Sequence, residues 1–160
     1  MLTNKHVVIA LLVAPLLSLL AWFGVGQLAG EQPRAAVAGQ VYPLLEKSNC
    51  RYASGTCELV NGNVSLQLQV VRADDAPLLV LTSSVSLQGV AVAVVPAGAA
   101  DGIAPSTMHS SNDDTTRWQL PLAAPLAEGD RLRLVAATAQ NRFTAELSTR
   151  FSRAEVRVSR

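Results

Sequence analysis

The chain has 160 residues, of which 49% are hydrophobic, 4% aromatic and 16% charged, with a formal net charge of +1. That length suits one domain of ordinary size. The near-neutral balance excludes the electrostatic footprint of a nucleic-acid binder.

Much of the hydrophobicity lies in one run, "VVIALLVAPLLSLLAWFGVG", Val7 to Gly26, which carries no charge. As a helix it would extend roughly 30 Å, the thickness of a bilayer's hydrocarbon core. Pro15 lies inside it, and membrane helices tolerate proline better than soluble ones do. Trp22 and Phe23 fall near the far end, where aromatic rings suit the water–lipid boundary. Lys5 precedes the run, whereas Glu31 and Arg34 follow it and cancel. The expectation is a cytoplasmic N-terminus at residues 1–6, a transmembrane signal-anchor helix at 7–28 and an exported remainder. In a Gram-negative bacterium that means a single pass of the inner membrane with the C-terminal domain in the periplasm. A cleaved signal peptide followed by secretion is the alternative, with "GVGQ" or "LAGE" as the processing site.

Residues 29–48 mix Gly, Pro, Ala and isolated charges without lasting periodicity, and read as a tether with a short helical turn at 34–38. Residues 49–160 form the expected exported domain. From Cys57 onward the pattern is short alternating runs, the signature of strands. "VSLQLQV" sets Val64, Leu66, Leu68 and Val70 against Ser65, Gln67 and Gln69. "LLVLTSSVS", "VAVAVV", "RWQLPL", "RLRLVA", "FTAELSTRF" and "AEVRVS" continue the pattern. Phe143, Ala145, Leu147 and Phe151 share one parity, Trp118 shares a face with Leu120 and Leu122, and Pro121 implies an edge or a bulge. Roughly seven or eight short strands separated by turn residues predict an all-β fold, an immunoglobulin-like antiparallel β-sandwich preceded by the N-terminal helix. Residues 96–116 form the longest irregular segment, the first place to look for a working site.

The two cysteines, Cys50 and Cys57, are the only ones in the chain. Asn61-Gly62 predicts a type I′ hairpin turn. That turn pairs Leu59 with Val64 and Cys57 with Leu66, so Cys57 faces the core with them. A core-facing cysteine in an oxidising compartment, with its partner a short loop away, predicts a Cys50–Cys57 disulfide. The bridge would fix the first strand where the tether arrives. A redox-active pair would want Cys-x-x-Cys spacing at a helix start, and structural zinc would want four ligands.

Met108 and His109 are the remaining metal-binding candidates, and a soft thioether beside an imidazole would suit copper(I). Asp74-Asp75 and Asp113-Asp114 sit among turn residues and read as turn formers. A serine triad would have to combine His109 with Ser106 or Ser110 and with Asp113. No Gly-x-Ser-x-Gly elbow or phosphate-binding glycine loop is present in the sequence. The expectation is a protein without catalysis, cofactor or small-molecule substrate. Arg142, Arg150, Arg153, Arg157 and Arg160 would form a weak positive strip.

The segments "NCRYASGTCEL", "SLQGVAVAVV", "RWQLPL" and "RLRLVA", with the loop holding Met108, give the chain a likeness over roughly residues 45 to 151. It resembles small bacterial membrane-anchored proteins whose exported part is an immunoglobulin-like sandwich, some of which accompany the maturation of respiratory oxidases. The resemblance implies a membrane-tethered interaction or assembly module with an envelope protein as partner. The alternative function is copper handling through Met108 and His109, although the repeated methionines of a dedicated copper carrier are missing.

Overall fold

The computed structural model describes residues 4–28, 37–74, 76–99 and 102–153. The chain divides into two units, residues 1–35 and residues 36–160.

The first unit is a helix, α1 (Lys5–Leu28). It begins ahead of the expected Val7 because Asn4 caps it. The Asn4 side-chain oxygen accepts the His6 N–H at 3.2 Å, and its backbone carbonyl accepts the Val8 N–H at 3.2 Å. Pro15 lies within the helix and cannot donate to the Leu11 carbonyl one turn back. Among the described residues no helix is long and apolar enough to cross a membrane. The expected transmembrane span is therefore not met among them, while the helix itself is formed.

The second unit is built from two sheets. In chain order its strands are β1 (Val41–Pro43), β2 (Leu45–Glu46), β3 (Thr56–Asn61), β4 (Val64–Ala73), β5 (Ala76–Ser83), β6 (Gly89–Val95), β7 (Ser106–Thr107), β8 (His109–Ser110), β9 (Arg117–Pro121), β10 (Arg131–Ala137) and β11 (Arg142–Ser148). One sheet has the order β1-β11-β10-β6-β7 and the other β2-β3-β4-β5-β9-β8. Every pairing is antiparallel except β1 with β11, which is parallel. Leu59, Leu66, Leu68, Leu79 and Leu81 from one sheet meet Val90, Val92, Leu132, Leu134 and Leu147 from the other in a single core. The alternation read from the sequence thus becomes an inward apolar face on each sheet. Trp118 is buried, and its indole N–H donates to the Thr115 carbonyl at 2.9 Å.

The two sheets are joined at both open sides by strands that change sheet after one residue. β1 lies on the edge of the first sheet and β2 on the edge of the second, with Leu44 buried between them. β7 and β8 do the same at the opposite edges, with Met108 buried between. These four short strands account for the excess over the expected seven or eight. They also correct the reading of residues 29–48 as a tether, since 41–43 and 45–46 are strand and belong to the β domain. Of the helical turn expected at 34–38, Val37 and Ala38 are not helical and 34–36 lie outside the described residues.

The β3–β4 turn falls on Gly62-Asn63 rather than Asn61-Gly62. Asn61 pairs with Val64, Leu59 with Leu66 and Cys57 with Leu68. Only Gly62 needs positive φ (57°), the requirement of a type II′ turn with glycine first. Asn61 stays in the strand, and its amide donates to the Pro43 carbonyl at 2.6 Å. The pairing has moved by two residues, so every side chain keeps its expected face.

Phe151 is buried as expected but not by strand parity. It lies in a 3-10 turn, Arg150–Arg153, that follows β11. Pro121 ends β9 next to β5. Its neighbour Leu122 donates to the Pro77 carbonyl at 2.9 Å, so the missing N–H of Pro121 points to the other side. β8, which pairs with Gln119 and Trp118, does not reach that far. The strand expected at "AEVRVS" lies outside the described residues.

Candidate functional site

Cys50 and Cys57 form the expected disulfide, with Cα atoms 4.2 Å apart and both residues fully buried. Cys50 sits in a 3-10 turn, Ser48–Arg51, and Cys57 in β3. Asn49 holds the turn against the strand, its side-chain oxygen accepting the Glu58 N–H at 3.2 Å. The Lys47 N–H donates to the Glu58 carbonyl at 2.9 Å, and the Gly55 N–H to the Phe151 carbonyl at 2.8 Å. The bridge therefore lies beside the turn that follows β11. The arriving chain touches the other end of the strands, where the Gly39 N–H donates to the Gln140 carbonyl at 2.7 Å. This corrects the expectation that the disulfide fastens the point of arrival.

Lys47 and Glu58 add an ion pair beside the bridge, Nζ to Oε1 at 2.6 Å. Hydrogen bonding to the Lys47 ammonium holds the Glu58 carboxyl below the ordinary carboxylate value. The Lys47 charge and the Ser65 hydroxyl reinforce that, and desolvation opposes it. On the outer face of the first sheet, Glu146 lies between Arg131 (2.6 Å) and Arg133 (3.0 Å). The expected arginine strip is divided: Arg142 starts β11, Arg150 follows its other end and Arg153 pairs with Glu128 at 3.2 Å. Arg157 and Arg160 lie outside the described residues.

Met108 and His109 are separated by the strand change. Met108 is 1% exposed and belongs to the core, its N–H donating to the Val90 carbonyl at 2.8 Å. His109 is exposed in β8, on the outer face opposite Gln119. Adjacent residues of an extended chain point to opposite sides, so the folded protein does not present the two as a joint ligand pair. Among the described residues no cluster of three or more His, Cys, Asp or Glu side chains is placed to hold a metal. The residues considered for a triad are arranged for other roles. Ser106 lies in β7 on the first sheet while His109 and Ser110 lie in β8 on the second, and the Ser110 hydroxyl donates to the Asn112 carbonyl at 2.8 Å. Asp113 and Asp114 lie in the 112–115 turn, as their sequence context implied. Asp74 lies in a turn with φ at 49°, and Asp75 is outside the described residues. Trp22 and Phe23 are exposed on α1.

The feature not anticipated from sequence is the outer face of the first sheet. Pairing register aligns Pro43 with Thr144, Thr144 with Val135, Val135 with Ala91 and Ala91 with Thr107. This row crosses all five strands without a charge. Its members are small or β-branched and at least partly exposed, with Val135 at 41%. Val41 and the exposed Arg142 are aligned in the next row at one side, and the Arg131–Glu146–Arg133 cluster bounds it at the other. The available signal was the first alanine of "VAVAVV", Ala91, and a lone valine beyond the arginines of "RLRLVA". It could not be read until register aligned them.

Comparison with protein-family models, curated proteins and solved structures finds no match to this chain.

Proposed function

We propose that this chain is a non-catalytic interaction or assembly module of the bacterial envelope. In this reading an immunoglobulin-like sandwich is held at the inner membrane through the uncharged run Val7–Gly26 and works in the periplasm. The uncharged row Pro43–Thr144–Val135–Ala91–Thr107 is the observation that carries it. An uncharged patch rimmed by polar groups is a surface that a protein partner can use. The fully buried Cys50–Cys57 bridge supports an oxidising compartment. The orders β6-β10-β11 and β5-β9, with chain crossings between the sheets, support the immunoglobulin-like arrangement. The partner would dock on the sheet face rather than on the strand edges, which are formed by the short strands β1, β2, β7 and β8.

Site-specific photocrosslinking in cells tests the proposal. A probe at Val135 is expected to capture one discrete envelope protein, while a probe at Gln67, on the outer face of the other sheet, does not. Val135→Glu should abolish co-purification of that protein from mild detergent without loss of folding. Equal capture at the two positions, or none at Val135, would overturn the assignment.

A further inference from the structure

The chain enters the β domain at one end of its strands and leaves it at the other. At the first end Gly39 lies against Gln140 in the β10–β11 turn; at the second the Arg150–Arg153 turn lies against Gly55. The first and last strands, β1 and β11, are neighbours and parallel. A pull on the two ends of the domain therefore drives these strands past each other along their length. The bonds joining them run across that direction. Arg142 N–H donates to the Gln40 carbonyl at 3.1 Å and Leu44 N–H to the Thr144 carbonyl at 2.8 Å. They are loaded together, not in succession. Packing of Tyr42 on Phe143, with ring centroids 6.1 Å apart, adds to the same contact.

We infer that the β1–β11 pair is a clasp that resists tension applied between the two ends of the domain, with the Cys50–Cys57 bridge as the stop behind it. If the clasp slips, β1 and β2 come away as one strap. The chain freed ahead of Cys50 runs from residue 37 to residue 49, a contour on the order of 45 Å. Beyond that the load passes through the disulfide to Cys57 in β3, which is paired along its length with β4. The inference concerns how force travels through the domain and stands whichever partner the outer face engages.

Optical-trap pulling of the full-length oxidised chain tests it. With handles at the two chain ends, β1 and β11 are sheared. With one handle moved to Gln140, beside Gly39, the same pair is opened bond by bond from one end. Forced unfolding reports the unfolding barrier, and the end-to-end rupture force is expected to exceed the Gln140 value by about twofold or more. Tyr42→Ala should lower the first force more than the second. On reduction of the bridge the first length released should grow past the segment ending at residue 49. Equal rupture forces in the two geometries would overturn the clasp, and an unchanged first release after reduction would overturn the stop.

Discussion

Leu44 and Met108 hold equivalent places on opposite sides of the β domain, each the one buried residue between two short strands that belong to different sheets. Leu44 links β1 to β2 and Met108 links β7 to β8. Each side chain fills the gap where the sheets would otherwise part, and each flanking strand covers an edge that could pair with another chain.

Truncating either plug should cost stability in the range for buried large-to-small changes, about 2–5 kcal/mol for Met108→Ala or Leu44→Ala. Met108→Leu keeps the volume and should cost less than about 1.5 kcal/mol. Urea titration of the three variants checks this. A Met108→Ala protein as stable as the parent would mean that residue 108 does not pack in the core.

Removing the bridge should also be expensive. Its sequence separation is 7, and closing so short a loop stabilises by roughly 2–3 kcal/mol on the chain-entropy argument. A Cys50→Ala, Cys57→Ala double variant should unfold at correspondingly lower denaturant. In the parent, alkylation of the thiols should require both reductant and unfolding, because both residues are fully buried.

The Glu58 carboxyl is held below the ordinary value of 4.5 chiefly by its hydrogen bond to the Lys47 ammonium. A carboxyl depressed in the folded state contributes stability above its unfolded value, and that contribution is lost as pH falls through the folded value. Lys47→Met should therefore reduce stability near neutral pH and leave it little changed once Glu58 is protonated. The difference should shrink in high salt, since the pair is solvent-exposed. Thermal melts of the two proteins across the acid range are the measurement. A constant gap between them down to strongly acidic pH would refute the assignment.

The β3–β4 turn offers a test of register. Gly62 has φ at 57°, a conformation that costs an L-residue about 1–2 kcal/mol. Gly62→Ala should show that loss. Asn61→Ala should lose the bond to the Pro43 carbonyl, about 1 kcal/mol, because Asn61 acts as a strand residue and not as a turn former. Asn63→Asp should be nearly neutral. If Asn61→Ala proved neutral instead, the bond from Asn61 to the Pro43 carbonyl would not contribute to the fold.

Legibility in the sequence followed the length of each element. β4, β6, β10 and β11 are long enough for period-two alternation to show, and the inward faces of "VSLQLQV" and "RLRLVA" are where their parity put them. β1, β2, β7 and β8 span two or three residues each, too few for a period, and so the Leu44 and Met108 crossings stayed hidden in stretches read as tether and loop. The Asn61-Gly62 pair signalled a hairpin but not its centre, because glycine can open a II′ turn as readily as it closes a I′ turn. Phe151 shows the opposite error: its parity suited a strand, yet the chain had already turned. The cysteine bridge was legible because a core-facing parity and a short loop agreed. The outer row through Val135 was not, since it is assembled from five strands that only pairing register brings into line.

The parallel placement of β1 beside β11 also fixes a standoff. From its alignment with residue 41, β11 runs on from Arg142 to Ser148 in one direction, about 20 Å at the rise of an extended chain. Whatever follows the last strand is thus displaced by about that distance from the point where the preceding chain docks, and swapping side chains on the sheet faces would leave that offset unaltered.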